Sequence, residues 1–224
     1  MLKEGVIVEE KNGIGRVRAL AGGARPRPWL GGLLSPMYDY LMIHSLFPNK
    51  FGSSYETHSK FLKDTLSDFH DTAILDLAAG SGCLSEALPP DNSYYGIDIS
   101  EGLLKIAARK LKKSGMRACK LYSCPAEDLP FASEVFDAAV CNLSLNFFSS
   151  LNDAVAEARR VLKKGAPFFC SVPVPERNER GTRFQGRLLT EAQLRELFES
   201  QGLEFAPYEL RNGVLLYFKA TRRR

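Results

Sequence analysis

The chain has 224 residues, of which 45% are hydrophobic and 25% charged, enough for one well-buried domain with additions or at most two small ones. A net charge of +4 is too mild to call for a nucleic-acid partner, and no apolar run approaches the ~20 residues of a membrane helix. The first residues lack the apolar core of a signal peptide and carry Glu4, Glu9 and Glu10, which argues against a transit peptide.

In chain order, Val6–Val8 and Ile14–Val17 flank Asn12-Gly13 and read as a hairpin. Residues 19–32, rich in glycine and proline, read as an irregular link. Helical patterns follow over Met37–Leu46 and Glu56–Phe69, split by Pro48 and Gly52. Residues 1–32 are therefore expected as an N-terminal extension of hairpin and linker, and 33–71 as a helical lid region. Neither belongs to the alternating region 72–224 that follows.

There, strands are expected at Ala73–Leu77, Tyr94–Ile97, Cys119–Tyr122, Ala138–Asn142 and Pro167–Val172. Helices are expected at Leu84–Leu88, Glu101–Lys113, Leu151–Lys163 and Glu191–Gln201, the last opened by a Thr190/Gln193 capping box. Runs over Glu204–Leu210 and Val214–Ala220, joined by Asn212-Gly213, predict an antiparallel hairpin. Such alternation predicts an α/β, Rossmann-like, doubly wound and mostly parallel sheet, with its ligand outside the carboxyl ends of the strands. The five cysteines fall in or beside expected core strands and the glycine turn, and form no metal-binding spacing. Free buried thiols in a reducing cytoplasm are the simplest account.

The most informative stretch is Ala73-Ile-Leu-Asp-Leu-Ala-Ala-Gly-Ser-Gly-Cys-Leu84, with Tyr94-Tyr-Gly-Ile-Asp98 after it. It reads as strand, glycine turn, helix start and a second strand ending in a carboxylate able to accept from both ribose hydroxyls. A dinucleotide fingerprint requires a third glycine where this chain has Ser85, and gains nothing from Asp76. A ligand with an ammonium tail does gain from Asp76, so S-adenosylmethionine fits better than NAD.

These blocks, together with Ala126-Glu-Asp-Leu-Pro-Phe131, Phe136-Asp137 through Asn142-Leu143, and Ala158-Arg-Arg-Val-Leu-Lys-Lys-Gly165, resemble class I S-adenosylmethionine-dependent methyltransferases of the small-molecule, type 11-like kind. The resemblance runs from about Ile74 to the C-terminus. It implies a seven-stranded sheet with a C-terminal antiparallel hairpin. It also implies a cofactor site in which residues 76–82 (Asp76, Ala78, Gly80, Ser81 and Gly82 among them) hold the methionine moiety. Asp98 and Ile99 would meet ribose and adenine, Ala126 and Glu127 would border the adenine, and Asn142 and Leu143 would lie under the sulfonium. Pro125 departs from the pattern, standing where many relatives have an acid for the adenine amino group.

Methyl transfer from a sulfonium relies chiefly on proximity, and no catalytic triad is visible. Among the three histidines, His58 on the expected lid is the best-placed candidate base. Tyr38 and Tyr55 could close over the cofactor, Phe147 could wall the methyl, and Arg183, in an arginine-bearing loop over Pro173–Leu189, could hold a substrate anion. No metal is expected. The reading is a cytoplasmic methyltransferase for oxygen, carbon or nitrogen of a small molecule, as monomer or homodimer. Methylation of RNA or protein, and a non-catalytic S-adenosylmethionine-binding regulator or scaffold, stay open as alternatives.

Overall fold

A computed structural model describes residues 1–18 and 37–224. The expected link over 19–32 lies outside the described residues. Among the described residues, nine strands form one sheet: β1 (Ile7–Lys11), β2 (Ile14–Arg18), β3 (Ala73–Leu77), β4 (Ser93–Asp98), β5 (Ala118–Ser123), β6 (Ala138–Asn142), β7 (Pro167–Pro173), β8 (Leu203–Pro207) and β9 (Leu215–Arg222). Their spatial order is β1-β2-β5-β4-β3-β6-β7-β9-β8. Strands β2 and β5 to β7 run parallel through β4 and β3, whereas β1 and the last pair are antiparallel.

Seven of these strands are the expected α/β sheet with its terminal hairpin. The other two correct the expectation that the N-terminal region stands apart from it. The Asn12-Gly13 hairpin forms, and β2 then pairs in parallel with β5, Ile14 opposite Leu121. Ile14 is buried, and the missing Cβ of Gly15 leaves room for the Tyr122 ring, which a Cβ would meet at 2.8 Å.

The long helices are α2 (Tyr55–Leu66), α3 (Glu101–Lys113), α4 (Leu151–Val161) and α5 (Glu191–Ser200), after a single turn α1 (Tyr38–Leu41). Serine side chains cap α2, α3 and α4, and Thr190 and Gln193 form the expected capping box on α5. Apolar faces of α2 and α3 (Leu62, Leu66, Leu104, Leu111) join one buried layer of the sheet, and those of α4 and α5 (Val155, Val161, Leu194, Phe198) join the other.

Two helices depart from expectation. The segment expected to end at Leu46 runs on as a π-helix over Met42–Phe51, straight through Pro48, and stops at Gly52 in the left-handed region. Proline lacks an N–H and its ring crowds the i−4 carbonyl; the wider π turn moves that carbonyl away. The helix expected at Leu84–Leu88 is one 3-10 turn, Cys83–Glu86, because Pro89-Pro90 follows too closely for a second turn. Cys119 is exposed rather than in the core, while Cys124, Cys141 and Cys170 are buried and all five thiols are free. Among the described residues, no helix is long and apolar enough to cross a membrane, and no cluster of metal-ligating side chains occurs.

Candidate functional site

The strand order turns back between β3 and β6, and outside the carboxyl ends of the strands lies a cavity of about 1620 Å³. Its floor is the glycine turn. Ala78 and Gly80 both have positive φ, +58° and +53°. A Cβ on Gly80 would meet nothing nearer than the Ala78 carbonyl at 3.9 Å, so this backbone faces open space that a ligand can approach. A Cβ on Gly82 would instead lie 2.8 Å from the Ala107 Cα of α3. The close helix packing given elsewhere by a third glycine is thus done by Gly82, and Ser85 is tolerated. Leu143, at the tip of β6, also has φ +58°. Left-handed backbone at non-glycine residues costs of order 1–3 kcal/mol and gathers at sites of function; Ala78 and Leu143 both line the cavity.

Asp98 ends β4 at the cavity wall. Its Oδ2 accepts from the Gly80 N–H at 2.9 Å and its Oδ1 from the Ser100 N–H at 2.7 Å. Burial raises its pKa, and the backbone donors oppose that rise. Asp76 is placed differently: it is 1% exposed, does not line the cavity, and accepts from the Tyr94 hydroxyl at 2.6 Å. Burial pushes its carboxyl up to about 7, the Tyr94 hydroxyl works against this, and the Asp98 charge adds to it.

Ile99, Ala126 and Glu127 line the opposite wall. One oxygen of Glu127 accepts from the Ser149 and Ser150 N–H groups at 2.8 and 3.2 Å, which holds the approach to α4. Asn142 donates to the Cys83 sulfur at 3.2 Å and accepts from the Ser171 hydroxyl at 2.5 Å. Burial lifts the Cys83 thiol to about 12, so it stays protonated. Phe147 lines the cavity and is half exposed; Arg183 is exposed and does not, although Phe184 and Gln185 beside it do.

The roof comes from α1, the π-helix and α2. Tyr38, Tyr55 and His58 all line the cavity, and burial raises both tyrosines to about 12. His58 is 2% exposed; burial holds its pKa down at about 4, opposed by a hydrogen bond with the Asn142 side chain. The His44 ring packs at a tilt against exposed Tyr40, and His70 pairs with Asp91 at 2.8 Å; neither lines the cavity. Asp39 is a residue that sequence reasoning missed. It accepts from the Ser81 hydroxyl at 2.6 Å and pairs with Lys110 of α3 at 2.5 Å, clasping the roof to the glycine turn. No sequence motif marks such a pairing.

A family model described as a methyltransferase domain matches residues 75–170, which span β3 through β7 and the cavity floor. That stretch of the chain is similar to the methyltransferase-domain family. A demethylmenaquinone methyltransferase from Geobacillus stearothermophilus is 30% identical over 124 residues, 52% of this chain and 53% of that protein. The chain thus spans about half the length of the curated relatives it matches. A SAM-dependent methyltransferase from Aquifex aeolicus superposes with TM-score 0.63 at 16% identity, covering 83% of this chain and 97% of that one. The [4+2]-cyclase SpnF superposes with TM-score 0.66 at 18% identity, covering 90% and 99%. At these identities the likeness shows the fold; chemistry rests on the site that the methyltransferase domain carries.

Proposed function

We propose that the cavity holds S-adenosylmethionine beside a small-molecule acceptor and that the protein transfers the methyl group between them without a metal, in the cytoplasm. The observation that carries this reading is that the open backbone of Gly80 and the carboxylate of Asp98 face one cavity within a methyltransferase domain. At about 1620 Å³ the cavity exceeds the ~300–1,000 Å³ of ordinary ligand pockets, so it has room for two molecules. Bound S-adenosylmethionine supplies an electrophilic methyl on a sulfonium.

The chain's own residues bind and orient. Asp98 receives the ribose hydroxyls, and Ile99, Ala126 and Glu127 border the adenine. The backbone of Ala78, Gly80, Ser81 and Gly82 takes the amino-acid end, with Asp76 beneath it as a buried counter-charge. Asn142 and Leu143 flank the reacting centre, while Tyr38 and Tyr55 of the lid, residues 33–71, exclude water. Holding both reactants in line accounts for about 7–11 kcal/mol of barrier in favourable cases, which leaves little need for a triad. The roof over the cavity includes Met42, Leu46, Phe47 and Phe51, which suits an apolar, ring-bearing acceptor, and the naming of relatives for demethylmenaquinone methylation supports that choice. Phe147 would meet the acceptor at the rim.

Thermal unfolding with S-adenosylmethionine, S-adenosylhomocysteine or NAD tests the reading. A ligand at 100 times its dissociation constant adds about 2.7 kcal/mol, or roughly 5–11 °C for a chain of this size. The sulfur nucleosides are expected to give that shift and Asp98→Ala to abolish it. A shift with NAD alone would overturn the proposal.

A further inference from the structure

Among the described residues, two lysines line the cavity, Lys50 in the π-helix and Lys110 in α3. Lys110 is taken up by Asp39 at 2.5 Å, whereas Lys50 pairs with no carboxylate of the described residues. Acids on the cavity wall are held elsewhere. Asp98 and Glu127 each accept from two backbone N–H groups, and Asp128 pairs with Lys3 at 3.2 Å.

Nor does the fold use the Lys50 ammonium as a cap. It stands in the last turn of its helix, where a cation commonly meets unpaired carbonyls. Here the Phe47 carbonyl accepts from the Ser53 N–H at 2.9 Å, and the Phe51 carbonyl from the Val214 N–H at 3.0 Å. Lys50 Nζ instead stands over the ring of Phe184, 5.5 Å from its centroid. That ring stacks on Phe51 with centroids 5.8 Å apart and planes 2° from parallel, and all three residues line the cavity. The loop that carries Phe184 is pinned to Asn146, whose Nδ2 donates to the Gln185 carbonyl at 2.7 Å and whose carbonyl accepts from the Arg187 N–H at 2.9 Å. Between them Gly186, at φ +80°, has no room for a Cβ beside the Asn146 carbonyl. A second cation, exposed Arg180, lies against Gly52, its guanidinium carbon 3.5 Å from where a Cβ would stand.

We infer that Lys50 receives a carboxylate of the methyl acceptor, so that the cavity selects apolar ring compounds bearing an acidic group. The inference rests on the reading of the cavity as a methyl-transfer chamber. An ammonium has three donors, and contact with one ring face steadies it without using them up. A carboxylate brought there gains charge-assisted hydrogen bonds while the rest of the ligand lies along Phe51 and Phe184. A neutral amide at the same place forfeits the charge, and a cation meets like charge. The anion site thus falls to Lys50 of the roof and not to Arg183, which does not line the cavity.

Binding of S-adenosylhomocysteine is read first, by calorimetry. Into the saturated protein are then titrated 2-naphthoate and its neutral counterpart 2-naphthamide. Naphthoate is expected to bind about tenfold more tightly, in keeping with one charge-assisted hydrogen bond. Lys50→Met is expected to abolish that preference and Lys50→Arg to keep it, with S-adenosylhomocysteine affinity unchanged in both. Methionine retains an apolar stem, so a lysine that merely packed on Phe184 would leave the ratio of the two ligands as it was. Equal binding of naphthoate and naphthamide to the wild type, or a preference that survives in Lys50→Met, would overturn the inference. Should S-adenosylhomocysteine fail to bind, the cofactor reading falls separately. The naphthoate preference of the unloaded protein and its loss in Lys50→Met then still decide for or against the lysine.

Discussion

On the glycine-turn side of the cavity, Asp98 bonds to Gly80 and Ser100, 18 and 2 positions away; on the lid side, Ser54 bonds to Asn212 and His58 to Tyr217, 158 and 159 positions away. The first wall is built from β3, the glycine turn, β4 and α3, which follow one another in the chain, and exists as soon as these pack. The second exists only when the whole sheet, including β9, is in place. A wall closed by a few long-range polar ties can open without unfolding the sheet, which is what a chamber admitting two molecules requires.

The contrast can be broken at several points, and the largest expected effect is electrostatic. Asp76, in the sheet, has its pKa raised from 3.8 to about 7, so its contribution to stability is whole below pH 3.8 and is lost as pH rises through 7. Asp76→Asn keeps an acceptor for Tyr94 and removes this loss. Relative to wild type it is expected to gain up to about 4 kcal/mol at pH 8 and nothing at pH 3.5, read from urea unfolding at each pH. His58, in the lid, is lowered from 6.5 to about 4, and its contribution runs the other way, whole above pH 6.5 and lost as pH falls through 4. Hydrogen exchange at pH 5 should therefore quicken in α2 and the β9 hairpin before it quickens in β3 and β4.

Gly82→Ala strikes the local wall. The new Cβ collides with α3 in a backbone held at φ +79°, and a global loss of about 3 kcal/mol is expected in denaturant unfolding. Asn212→Ala strikes the long-range wall. It removes three hydrogen bonds, each worth about 0.5–1.5 kcal/mol net. About 2 kcal/mol should be lost, with exchange rising over residues 38–66 and little change in β3 to β6. Equal spreading of both effects would mean that the two walls are one cooperative unit.

The same contrast explains what could be read from the sequence. The strand ends, the capping box and the glycine turn are written in residues a few positions apart, where backbone chemistry alone decides. The course of the chain through Pro48 was not legible, because it is imposed from a distance. Val214 donates to the Phe51 carbonyl at 3.0 Å, and any Cβ on Gly213 would strike that same carbonyl, so the C-terminal turn holds the π-helix at its end. The Asp39–Lys110 clasp was hidden for the same reason. Asp76 illustrates the converse: its position in the motif was plain, but its bond to Tyr94 depends on which face of β3 it occupies, and a motif does not state a face.

The parallel pairing of β2 with β5 also sets a schedule for synthesis. Ile14 leaves the ribosome about a hundred residues before Leu121, its partner in the sheet, a wait of roughly 5–20 s at ordinary elongation rates. A two-stranded hairpin is marginal in water by itself. This hairpin is therefore among the last elements to find its place, and the nascent chain carries Ile14 uncovered through that interval. The charged run Glu9-Glu10-Lys11 along the outer strand discourages pairing with a neighbouring chain during the wait.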